Sequence, residues 1–239
     1  VNSINWARII AQSVYYFYSY FLVRNESQTI NFSVPTGNFG DVYAGYLAKK
    51  MGLPINKLIV ATNQNDILHR AISKGSYEAK KVLETISPSM DIQIASNFER
   101  LIYDLNNEDD SQTSLDMKNI KENGKYIIND EKLNKIKENF LSTRMSENET
   151  LETISSVYEK FKVVLDPHTA IGYGAFDKHD LNGKNIVLGT AHPCKFPDAI
   201  HRAIKIKSDL PSEMMFVLDE KENFDIIEND VEKVKQHIT

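Results

Sequence analysis

Pro35-Thr36-Gly37-Asn38-Phe39-Gly40-Asp41 is the stretch of this chain best suited to chemistry. A short β-like run at 30–34 leads into a turn with two glycines, and a helical pattern follows over about 42–51. Such a turn aims backbone N–H groups and the positive end of a helix dipole at one point, which suits a phosphate. Gly37 and Gly40 let the backbone approach an anion without an intervening Cβ, and permit φ > 0 where the turn needs it. Neither common nucleotide fingerprint fits, because no Lys-Ser/Thr follows the second glycine and the glycine spacing is not that of the dinucleotide motif. A plain strand-to-helix connection is the competing reading.

A second group lies at Gly189-Thr190-Ala191-His192-Pro193-Cys194-Lys195. Thr190 falls just past the carboxyl end of a predicted strand, where open α/β sheets place their ligands. His168 and His192 each stand beside a proline at a strand–helix junction. Imidazoles there serve acid–base work, phosphate contact or a structural hydrogen bond. The six histidines have no zinc-site spacing, and the lone cysteine, Cys194, reads as a small buried residue rather than a nucleophile.

The elements that must hold these groups form a βαβ unit: strand 30–34, helix 42–51, strand 57–61. Gly52-Leu53-Pro54 ends the helix. That order implies a parallel sheet with a right-handed crossover. Before it, Trp6, Ile9, Ile10, Val14, Phe17 and Phe21 repeat at helical spacing, with Ser3 or Asn5 available as a cap. After it come helices at 65–71 and 92–105, and then a Lys/Glu/Asn-rich stretch at 106–160 with helical segments at about 115–123 and 130–139. That stretch reads as a peripheral helical insertion with a solvated face. The α/β pattern resumes with a strand at 163–165, a helix at 169–176, a strand at 185–188 and a helix at 197–206. An edge strand at 214–218 and a helix from 230 close the chain. The division expected is 1–105 as the phosphate-binding part of a large α/β domain, 106–160 as the insertion, and 161–239 as the rest of that domain.

The bulk properties exclude several classes. A net charge of −5 argues against nucleic acid or an anionic membrane as the main partner. No apolar run reaches the length of a membrane span, and a single cysteine fits a reducing, cytoplasmic setting. The chain starts Val1-Asn2-Ser3 with no initiator Met or signal-like segment, which reads as a piece of something longer.

Five motifs in order carry a resemblance: Asn2-Ser3-Ile4-Asn5-Trp6-Ala7-Arg8, the glycine turn, Thr62-Asn63-Gln64-Asn65-Asp66-Ile67-Leu68, Asp166-Pro167-His168-Thr169-Ala170-Ile171-Gly172, and the stretch from Gly189 to Pro197. Together they resemble threonine synthase of the bacterial and fungal branch, a pyridoxal-phosphate enzyme of the tryptophan-synthase-β fold type. The resemblance implies an α/β fold with the parallel-rich, three-layer sheet of the fold-type-II pyridoxal-phosphate enzymes. It also implies conversion of O-phospho-L-homoserine and water to L-threonine and phosphate.

Carried over residue by residue, Gly37, Asn38, Phe39, Gly40 and Asp41 would bind the phosphate of pyridoxal 5'-phosphate. Thr190 would hydrogen-bond its ring nitrogen, and Ser3, Asn5, Arg8 and His192 are candidates for the substrate. The family's Schiff-base lysine and substrate-carboxylate loop precede the segment that begins here, so the resemblance makes this chain a C-terminal portion whose partner is the missing N-terminal portion. Lys49 and Lys50 lie on a helix running away from the turn, which leaves Lys195 as the lysine nearest the expected pocket. Two alternatives stay open. One is a binding module that holds a phosphate-bearing ligand without catalysis. The other is a related β-eliminating or β-replacing enzyme of the threonine dehydratase or cysteine synthase type.

Overall fold

Asn5 opens the first helix, its side-chain oxygen accepting from the Ala7 amide at 2.9 Å, and α1 runs over Trp6–Val23. The computed structural model describes residues 5–24 and 29–238, so the cap candidate Ser3 lies outside the described residues. The βαβ unit follows as β1 (Ile30–Pro35), α2 (Gly40–Lys50) and β2 (Ile55–Thr62), succeeded by α3 (Ile67–Lys74), β3 (Ser76–Glu78) and α4 (Phe98–Leu105). Next come α5 (Asp110–Asn123), β4 (Lys125–Ile127), α6 (Asp130–Asn139), β5 (Phe140–Arg144) and α7 (Glu147–Phe161). The chain ends with α8 (Pro167–Phe176), β6 (Lys184–Val187), α9 (Pro197–Ile204) and α10 (Val231–Ile238).

Four strands form a parallel sheet in the order β5-β2-β1-β6, while β3 and β4 pair antiparallel beside it. Side-chain alternation along the central strands builds the layers. Phe32, Val34, Leu58 and Val60 join Ile9 and Tyr16 of α1 and Val42 and Ala44 of α2 in one apolar cluster. Ile59 and Ala61 turn the other way and pack with Ile171 and Ala175 of α8. With helices on both faces, β1 is buried along its whole length, as a central parallel strand requires. The architecture is the α/β, helix–sheet–helix arrangement that the sequence predicts.

Close approach sets two contacts. A Cβ on Gly45 would fall 2.6 Å from Tyr16 Cζ, so α1 and α2 meet at the distance a missing methyl allows. Gly172 lets α8 descend onto Pro35, where a Cβ would lie 3.0 Å from Cγ, and the Ser33 hydroxyl donates to the Gly172 carbonyl at 2.6 Å.

Several elements differ from the sequence expectation. Residues 163–165 form an irregular link into α8, since β1 already has β6 as its neighbour and Val164 and Leu165 pack instead on Ile154 and Ile200. Ser212–Leu218 is a 3-10 turn rather than an edge strand. The helix expected over 92–105 begins only at Phe98, because the Asn97 amide is drawn to the Asn38 carbonyl at 3.1 Å. Within the stretch 106–160, β5 enters the main sheet beside β2, and α7 packs on α8 and α9. Residues 209–239 form a compact unit separate from the preceding chain.

Candidate active site

The parallel strands bring the ends of β1 and β6 to the same edge of the sheet. At the end of β1, Thr36 ties the turn down: its amide donates to the Ala61 carbonyl at 2.8 Å and its hydroxyl to the Val34 carbonyl at 2.6 Å. The left-handed backbone expected of the glycines falls instead on Phe39, with φ of 67° at the N-cap of α2. That conformation is costly for a side chain with a Cβ and persists only where packing over-determines it. Here the Phe39 ring is fully buried against Phe98 and Phe140, with centroids 5.2 and 5.8 Å away. Gly37 serves close approach: a Cβ there would sit 2.8 Å from the Ser89 carbonyl oxygen.

The turn's own polar groups are partly engaged. Asn38 Oδ1 accepts from the Gly40 amide at 2.9 Å, so one of the amides expected to face an anion is capped from within. The Asn38 carbonyl accepts from the Asn97 amide and side chain at 3.1 and 3.2 Å. Arg100 donates to Asn97 Oδ1 at 3.1 Å while stacking over the Trp6 ring, which links α4 and α1 to the turn.

Across the cavity, Asp166 caps α8 and organises the residues beneath Thr190. It accepts from the amides of His168 and Thr169 and from the Thr169 hydroxyl. Burial pushes its carboxyl up, but hydrogen bonds from His168 and Thr169 outweigh this and hold it below the usual carboxylate range. The Thr169 hydroxyl oxygen in turn accepts from the Thr190 amide at 3.1 Å. His168 is buried with Nε2 accepting from the Ser89 amide at 3.3 Å, so its proton sits on Nδ1, 3.0 Å from Asp166. Both ring nitrogens are committed to structure, and the acid–base reading of His168 gives way to a positioning one.

A cavity of about 700 Å³ joins these parts. Of the residues singled out from sequence, Gly37, Asn38, Asp41, Thr190, Arg8, His168 and Lys195 line it together. Asp41 opens onto it from the first turn of α2, its carboxyl raised to about 6 by burial despite a hydrogen bond from the Tyr16 hydroxyl. Several wall residues escaped the sequence reading, Gln12 and Ser89 among them. Gln12 stands one helical turn past Arg8, and its Oε1 is buried without a hydrogen-bond partner. Ser89 belongs to the loop under Gly37. Helical spacing from Arg8 would have flagged Gln12, whereas Ser89, Asn97 and Thr169 carry no local signal of proximity.

Other candidates lie elsewhere. Asn5 caps α1 and does not line the cavity. His192 is exposed, and its Nδ1 accepts from the Cys194 amide at 3.2 Å. Phe39 and Gly40 lie behind the lining residues of the turn. Lys49 donates to the Asn56 carbonyl at the far end of α2. No helix among the described residues is long and apolar enough to cross a membrane.

Residues 169–238 match the family described as "Threonine synthase, C-terminal". The threonine synthase of Pseudomonas aeruginosa is 43% identical, with 100% of this chain aligned to 52% of that protein. The crystal structure of PLP-bound threonine synthase from Brucella melitensis superposes with a TM-score of 0.94 at 44% identity, over 100% of this chain and 52% of that one. The yeast enzyme's structure gives 0.90 at 44% identity, covering 99% and 52%. The 239 residues are therefore threonine synthase family sequence on a fold-type-II α/β core, spanning about half the length of the relatives they match.

Proposed function

We propose that this chain forms the cofactor-phosphate part of a threonine synthase that uses pyridoxal 5'-phosphate to convert O-phospho-L-homoserine and water to L-threonine and phosphate. The observation that carries this reading is the single cavity walled by the Gly37-Asn38 turn on one side and Thr190 on the other. Two further features support a fit to the cofactor. Gly37 lets the turn's backbone lie against the Ser89 carbonyl, where a Cβ would sit 2.8 Å from the oxygen, and the cavity wall holds a buried, unpartnered polar atom in Gln12 Oε1. The cavity's volume falls within the range of cofactor sites.

Bound there, pyridoxal phosphate supplies an electron sink for carbanions adjacent to its ring. The backbone of Gly37 and Asn38, at the start of α2, would hold the phosphate through amides and helix dipole, with Phe39 fixing the turn from behind. Gly40 acts indirectly, its amide fixing the Asn38 side chain. Thr190 would offer a neutral hydroxyl to the ring nitrogen, and a hydroxyl does not hold that nitrogen protonated as a carboxylate would. Arg8, on the cavity wall, is the best candidate for the substrate's phosphate. Asn5 and His192 are weaker candidates, since Asn5 caps α1 and neither lines the cavity, while Ser3 stands on the resemblance alone.

The lysine that bonds covalently to the cofactor would come from parent sequence outside these residues. Lys195 lines the cavity but is exposed, whereas a reactive lysine needs desolvation. On this reading the segment alone is inactive and its partner is the remainder of the parent protein, in the cytoplasm. The test is an assay of the purified parent for threonine and phosphate released from O-phosphohomoserine, with and without Gly37→Val. Equal turnover in both proteins would remove the turn from the mechanism.

A further inference from the structure

A carboxylate at a phosphate site is an electrostatic contradiction, and Asp41 presents one. It opens onto the cavity beside the Gly37-Asn38 turn, from the first turn of the helix whose N-terminus would face the phosphate. Its two side-chain oxygens are unequal. Oδ1 lies 3.3 Å from the Tyr16 hydroxyl, which also donates to the Asp41 carbonyl at 2.8 Å, whereas Oδ2 has no hydrogen bond among the described residues. Tyr16 is itself fully buried, so the carboxyl is held from behind by a donor that cannot move aside.

We propose that Asp41 contacts the ligand phosphate as a neutral acid, donating a hydrogen bond from Oδ2, so that phosphate binding takes up one proton from solvent. No bond other than this hydrogen bond forms. The proposal rests on the phosphate-cradle reading given above and goes beyond it by assigning the protonation state. Burial already raises the free carboxyl to about 6, so a dianion alongside has only a short way to push it at neutral pH. The other titratable groups on the cavity wall are Arg8 and Tyr15 of α1, His168 of α8 and Lys195 beyond β6. Of these, the cations Arg8 and Lys195 act in the opposite sense by favouring the ionised form.

The test is calorimetric titration of the apo parent protein with pyridoxal phosphate, in two buffers of different ionisation enthalpy, from pH 6 to 9. Wild type should take up close to one proton more than Asp41→Asn at about pH 7.5. Its affinity should fall by up to tenfold per pH unit relative to that variant. Pyridoxal, lacking the phosphate, should show no such difference. Tyr16→Phe provides a second readout, because losing the phenol donor destabilises the carboxylate and should move the proton-uptake midpoint to higher pH. Equal proton counts in wild type and Asp41→Asn, or an unmoved midpoint in Tyr16→Phe, would overturn the proposal while leaving the cradle intact. Failure of wild type to bind pyridoxal phosphate at all would overturn the cradle reading, and this proposal with it.

Discussion

The hydroxyl of Thr169 lies 3.4 Å from the hydroxyl of Thr190 and accepts from its amide at 3.1 Å, while it donates to the buried carboxylate of Asp166. Thr190 is thus positioned from beneath by the first turn of α8, not by its own strand alone. Thr169→Val should therefore reproduce much of the effect of Thr190→Ala in the parent enzyme. Each should cost about 1 kcal/mol in cofactor affinity, roughly fivefold, and show more in kcat. Thr169→Ser should recover most of the loss. Absorbance titration with steady-state kinetics reads all three, and a Thr169→Val protein with wild-type kcat would dissociate the two residues.

Glycines at the two walls should respond differently. Gly37→Val would meet the Ser89 backbone and push the turn out of place, so on the proposed reading cofactor affinity should fall by at least the 1.5–3 kcal/mol of one charge-assisted hydrogen bond, or about ten- to hundredfold. Nothing lies within 4 Å of a Cβ built on Gly189, and Gly189→Ala should leave the melting temperature within about 1 °C of wild type. Side-by-side thermal melts and cofactor titrations check both.

Stability should also depend on the start of α7. Ser146 accepts from the Glu149 amide and Glu149 returns the bond to the Ser146 amide at 2.7 Å, a reciprocal cap. Hydrogen bonds from Lys178 first, and then from Ser146, hold the Glu149 carboxyl down at about 2. Ser146→Ala should cost about 1 kcal/mol in urea denaturation. Because α7 packs on α8, some loosening of the Asp166 cap should accompany it, seen as faster amide exchange at His168 and Thr169.

The pH dependence of stability should carry a histidine signature. Burial lowers His69 and His179 below the ordinary histidine value, and for His179 the neighbouring His69 adds to this. Both are neutral in the fold, with Ser142 and Thr143 of β5 hydrogen-bonded to their rings. The unfolded chain then binds more protons as pH drops below about 6.5, so stability is lost from there down through the folded values and is fully present above. His179→Gln should flatten the difference in urea midpoint between pH 7.5 and 5.5. An unchanged difference would place the acid sensitivity elsewhere.

Sequence carried the βαβ unit and the end of β6 clearly, because Ile30, Phe32 and Val34 alternate with polar residues, 58–61 and 186–188 are short apolar runs, and the stop signals Gly52 and Pro54 are local. It concealed β5, whose Phe140-Leu141-Ser142-Thr143-Arg144 is half polar and follows a charged helix without a break. Conversely, Val163-Val164-Leu165 has strand-like composition but finds its apolar partners in helices. The strand-to-helix turn between β1 and α2 was legible, yet the residue bearing positive φ was not. Phe39 tolerates it through ring contacts with Phe98 and Phe140, which lie 59 and 101 positions further along the chain. Propensity cannot register contacts of that range.

Tyr16 occupies the space that Gly45 leaves open and donates to Asp41 from the same position. The separation of α1 and α2 is therefore a gauge for the ligand pocket, with one phenol ring as its fixed thickness. A single methyl added at residue 45 would collide with the Tyr16 ring and so press on the residue that holds Asp41.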